Sequence, residues 1–114
     1  MMTLREARCA FTQCLCWLVT YGISQGYEMA FGEVQDTVTA KDPTTDHMKG
    51  SLHEIGLAAD INLYRDGKYL ELTEDHQTLG EYWEELGKIN KLPLRWGGRF
   101  RDGNHYSLEW LGIK

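Results

Sequence analysis

Three side chains in this sequence could hold a metal together: His53, Asp60 and His105. His53 and Asp60 lie seven residues apart in Ser51-Leu52-His53-Glu54-Ile55-Gly56-Leu57-Ala58-Ala59-Asp60. On a helix that spacing would place both on one face, but Gly56 interrupts and Leu57 to Leu63 reads as strand. A loop-to-strand path brings both side chains to one point. A catalytic zinc ion usually takes three protein ligands and keeps one position open for water. His105, in Asp102-Gly103-Asn104-His105 at the mouth of the last strand, is the best third ligand. Two neutral imidazoles and one carboxylate leave a divalent ion with net positive charge, able to acidify a water and polarise a carbonyl.

The elements that must position these residues follow from periodicity. Thr3 and Glu6 form a capping-box pattern, and Leu4, Ala7, Phe11, Cys14, Leu15, Leu18 and Tyr21 recur at helical spacing. Residues 4–24 are therefore predicted as one amphipathic helix, ending near Gly22 or Gly26. Tyr27 to Val34 reads as a strand and residues 35–50 as a long polar loop. Leu57 to Tyr64 reads as a second strand, turned by Asp66-Gly67 into Lys68 to Leu72. Thr78 to Ile89 carries Leu79, Tyr82, Trp83, Leu86 and Ile89 at helical spacing. Trp96-Gly97-Gly98 reads as a turn or bulge, and His105 to Trp110 as the final strand. The expected architecture is α+β in a single domain over 1–114: a small antiparallel sheet with helices packed on one face.

Composition bounds the function. The 114 residues carry a net charge of −5 and no Lys/Arg run, which argues against a nucleic-acid partner. No apolar stretch approaches the ~20 residues that span a bilayer, so no membrane anchor is expected. Cys9, Cys14 and Cys16 form no C-x-x-C pair and read as reduced thiols. With no secretory signal evident, synthesis in a reducing cytoplasm is expected. The four Trp and six Tyr pack a core or line a cleft that grips a polar polymer.

The pattern S-x-H-x-x-G-x-A-x-D, carried by Ser51, His53, Gly56, Ala58 and Asp60, resembles the signature of the zinc peptidases of family M15. That family includes D-alanyl-D-alanine carboxypeptidases and dipeptidases and phage L-alanyl-D-glutamate endopeptidases. Its second motif, an acid three residues before a His near the C-terminus, is matched by Asp102 and His105. The preceding Trp96-Gly97-Gly98-Arg99-Phe100 resembles the phage lysis enzymes in particular.

The resemblance implies a hedgehog- and DD-peptidase-like fold and one zinc ion (Zn2+) on His53, Asp60 and His105. It implies that Asp102 is the general base, taking a proton from the attacking water and passing it to the leaving amine. Ser51 is expected to orient the His53 loop beside the substrate. Family members usually carry an Arg just after the first strand; Gln35 or Asp36 stands there in this chain, so Arg99 or Arg101 is the substitute contact. The implied partner is the peptidoglycan stem peptide, cut at the L-alanyl-D-glutamate bond by a monomeric phage or prophage endolysin. Such an enzyme is made in the host cytoplasm and reaches the wall after release. A D-alanyl-D-alanine carboxypeptidase and a non-catalytic zinc-containing wall-binding or phage structural module are the alternatives.

Overall fold

The computed structural model describes residues 2–32 and 52–114. The first helix, α1, spans Leu4–Ser24. Its capping box is complete: Glu6 N–H donates to Thr3 Oγ1 at 3.1 Å and Thr3 N–H to Glu6 Oε1 at 2.8 Å. Ala7, Phe11, Cys14, Leu15, Leu18 and Gly22 form its buried stripe. β1 follows at Glu28–Phe31. The strand expected over Tyr27 to Val34 is present at Glu28–Phe31, while residues 33–51 lie outside the described residues.

β2, Ala58–Arg65, is the central strand. It pairs antiparallel with β1 along one edge. Along the other edge it pairs with β5 (His105–Leu108) at its start and β3 (Lys68–Leu70) at its end. The 3-10 turn Thr73–His76 then leads into α2, Gln77–Asn90. β4, Leu94–Trp96, completes the sheet in the order β1-β2-β5-β4. This is the antiparallel α+β arrangement that the sequence predicts. The sequence reading contains no β4, because three residues between Pro93 and Gly97 are too few to show a period. The last strand also stops at Leu108, two residues before the expected end at Trp110.

Alternation along β2 separates the two faces. Ala59, Ile61 and Leu63 are fully buried, whereas Asp60, Asn62 and Tyr64 are only half-buried. On the covered face Trp83 of α2 packs edge-on against both Phe11 of α1 and Tyr106 of β5, with ring centroids 5.8 and 5.9 Å apart. The Trp83 indole N–H reaches the Ser107 carbonyl at 3.1 Å, fixing α2 to β5.

His76, buried at the start of α2, shares a 2.9 Å hydrogen bond with the Tyr106 hydroxyl. Burial pushes its pKa down to about 4 from 6.5, against a smaller opposing pull from Asp75. The unfolded chain therefore binds the extra proton first. Stability from this group is full above about pH 6.5 and is lost as the pH falls to about 4. The loss should be on the order of 2–3 kcal/mol. Urea unfolding of wild type and His76→Gln at pH 7.5 and 4.5, in chelator, checks this: the variant should show a shallower pH dependence by about that amount.

Candidate metal centre

The ligand side chains come from three separate places in the fold. Asp60 and His105 are direct partners in the β2–β5 ladder, so both project from the same face of the sheet, the one away from the helices. Ile61 N–H donates to Asn104 O at 2.9 Å and holds that register just where β5 begins. His53 arrives from a tight turn closed by Leu57 N–H to Leu52 O at 2.8 Å. Gly56 takes φ +76° inside this turn, a left-handed conformation that costs a side-chain-bearing residue energy. Leu52 and Leu57 plug the turn into the core, which leaves His53 itself only 1% exposed. Arg8 of α1 adds an outside anchor, its Nε donating to Ile55 O at 2.7 Å. No motif marks Arg8, because its partner lies 47 residues away in sequence.

The turn after β4 places the remaining residues. The Trp96 indole N–H donates to Gly103 O at 2.8 Å, and the ring lies so close to Gly80 and Gly98 that a Cβ at either would collide with it. A Cβ on Gly97 would strike the Asp102 carbonyl and the His105 Cβ. The Trp-Gly-Gly sequence is thus a packing device that presses the Asp102–His105 loop against the sheet. Gly97→Ala should cost about 2–4 kcal/mol and weaken zinc binding, both measurable by urea unfolding and zinc titration.

His53 Nε2, Asp60 Oδ1 and His105 Nδ1 form a nearly equilateral triangle. Its edges are 3.3 Å between the imidazoles, 3.4 Å from His53 to Asp60 and 3.5 Å from His105 to Asp60. Three corners of a tetrahedral zinc site with ligand distances near 2.0–2.1 Å lie about 3.3–3.4 Å apart. The contacts to the carboxylate are too long for ordinary hydrogen bonds, and Asp60 Oδ1 is buried with no hydrogen-bond partner among the described residues. A cation supplies what this oxygen lacks, so the donor set fits a zinc ion. Burial opposes charge on Asp60, but the His105 and His53 rings outweigh it and hold the carboxyl well below the usual carboxylate range. The carboxylate is ionised and ready to ligate at any ordinary pH.

Asp102 lies beside the triangle without being part of it. Its Oδ2 is 4.0 Å from His105 Nδ1, and its side chain is 62% exposed. Backbone hydrogen bonds from Asp102 N–H to Gly97 O (3.0 Å) and from His105 N–H to Asp102 O (3.1 Å) fix its position. Arg99 makes a two-pronged ion pair with Glu84 of α2, at 2.9 and 2.7 Å. Arg101 is exposed, with a left-handed backbone and no side-chain hydrogen bond or ion pair among the described residues. Ser51, Gln35 and Asp36 lie outside the described residues.

The family model described as D-alanyl-D-alanine carboxypeptidase matches residues 45–108, a span that carries all three metal-site residues and Asp102. The chain matches no curated protein. The match covers more than half of the 114 residues, and the chain belongs to the M15 peptidases, a family of zinc-dependent metallopeptidases.

Proposed function

We propose that this protein is a zinc-dependent peptidoglycan peptidase that hydrolyses the L-alanyl-D-glutamate bond of the stem peptide, as a phage or prophage endolysin. The observation that carries the reading is the donor triangle of 3.3–3.5 Å edges with the Asp102 carboxylate alongside. Zinc, when bound, would polarise the scissile carbonyl and acidify the attacking water. His53 and His105 bind as neutral donors, and Asp60 contributes the single negative charge. Asp102 Oδ2 accepts the proton of the attacking water and delivers it to the leaving amine. A site that only held a structural metal would have no need of that carboxylate. Arg101 is the guanidinium better placed to meet substrate, because Arg99 is already committed to Glu84.

The family description favours a second reading, D-alanyl-D-alanine carboxypeptidase. The sheet face away from the helices runs on from Asp60 through the half-buried Asn62 and Tyr64, which suits a substrate continuing past the cut bond. The Trp96-Gly97-Gly98 lead adds the likeness to phage lysis enzymes. Such an enzyme acts as a monomer, is made in the host cytoplasm and meets the wall after release. Among the described residues no helix is long and apolar enough to cross a membrane.

Digestion of purified peptidoglycan, with zinc and with chelator, separates the readings by mass spectrometry of the new termini. New L-alanine carboxyl and D-glutamate amino termini support the endopeptidase. Released D-alanine supports the carboxypeptidase, and intact peptidoglycan beside a zinc-loaded protein supports a non-catalytic wall-binding module.

A further inference from the structure

We propose that Asn62, Tyr64 and Tyr69 form a subsite for a neutral sugar ring, an N-acetylated amino sugar of the glycan that bears the stem peptide. The inference rests on the reading that the L-alanyl-D-glutamate bond lies at the metal triangle. It starts from the alternation of β2, which puts Asp60, Asn62 and Tyr64 in one row on the face away from the helices. The metal triangle and Tyr64 are therefore two points on one continuous surface. Four residues of antiparallel strand separate Asp60 from Tyr64 by about 14 Å.

The row ends in an aromatic pair. Tyr69 of β3 is the direct partner of Tyr64, with ring centroids 5.4 Å apart and planes tilted by 46°. Tyr69 is 51% exposed. Between this pair and the triangle the neighbouring strand offers only small residues. Ala30 pairs with Asn62, and Gly32 lies so close that a Cβ there would touch both Asp60 and the Asn62 amide. The described part of this row thus carries small residues beside Asn62 and two rings at its end.

Charge selects the occupant. Glu28 pairs with Tyr64 and supplies an acid at this end. Arg65, next to Tyr64 in β2, is held by the Gln25 carbonyl at 2.8 Å and stacks over Tyr27 at 4.2 Å. Among the described residues of this row none is a cation, so an acidic stem peptide would meet Glu28 uncompensated. A neutral sugar carries no such penalty. Its C–H face packs on tyrosine rings, and its hydroxyl and acetamido groups match the donor and acceptor of the Asn62 amide. The length agrees as well. About 14 Å accommodates one extended residue, a short linker and a sugar ring.

The test compares KM for a disaccharide-bearing stem peptide with KM for the same peptide lacking the sugars. Wild type should favour the glycan-bearing substrate by about fivefold, the size expected for one aromatic contact. Tyr69→Ser should reduce that ratio to about one, while Lys68→Ser on the same hairpin should keep it. A ratio of one in wild type, or an unchanged ratio in Tyr69→Ser, overturns the subsite and leaves the peptidase reading standing. NMR titration with N,N′-diacetylchitobiose, a neutral disaccharide of N-acetylglucosamine, gives an activity-free readout. Shifts at Tyr64 and Tyr69 without hydrolysis of either substrate would sink the peptidase reading and retain the subsite. Neither shifts nor hydrolysis would overturn both.

Discussion

Asp102→Asn should lower kcat by about 10²–10⁴-fold while the protein keeps its zinc. Asn has nearly the shape of Asp but cannot accept a proton at neutral pH. The backbone hydrogen bonds that fix residue 102 use its N–H and carbonyl, which the substitution leaves intact. The side chain is 62% exposed and stands 4.0 Å from His105, so its loss should not unseat the ligand. Zinc content by atomic absorption and turnover on peptidoglycan fragments, measured on one preparation, give the split. A variant that turns over normally would remove Asp102 from the mechanism. A variant that loses zinc along with activity would make Asp102 part of the binding site.

Removing His53 should have the second large effect. His53→Ala takes away one of three donors from the triangle and leaves Asp60 facing a single imidazole. Activity should fall by at least the same 10²–10⁴-fold, here because the metal is lost. The thermal readout needs no substrate. A ligand present at about 100 times its Kd stabilises the folded state by about 2.7 kcal/mol, which for a domain of this size raises Tm by roughly 10 °C. Wild type should show that rise on adding zinc, reversed by chelator, and His53→Ala should show almost none. Equal shifts in both proteins would place the metal elsewhere.

The two helices were legible in the sequence because each carries many turns of one period. The same holds for the β2–β3 hairpin, where Asp66-Gly67 stands between two runs of strand-forming residues. Asp66 and Gly67 both adopt positive φ, the conformation that a tight hairpin turn demands. β4 was not legible, since its three residues are a strand only because β5 pairs with them. The metal-site residues were legible as residue types at motif spacing. Their convergence was not, since it depends on the pairing of Asp60 with His105 across 45 residues of chain.

The candidate substrate contacts divide in the same way. Arg99 and Arg101 are equivalent by sequence, each a cation near the Trp-Gly-Gly turn. Only the packing of α2 against that turn brings Glu84 to Arg99 and leaves Arg101 exposed. Arg8 is a similar case, an ordinary helix-surface residue until the fold places Ile55 O beside it.

The sequence alone thus singled out His53, Asp60, Asp102 and His105 as candidates for ligands and base, because the capacity to ligate or to take a proton is a property of side chains. The tertiary structure decided that three of their atoms stand 3.3–3.5 Å apart on the face of the sheet away from the helices, with tyrosines further along the same row. Such distances are set by strand register and by glycines that permit close approach, and both depend on contacts between residues far apart in the chain.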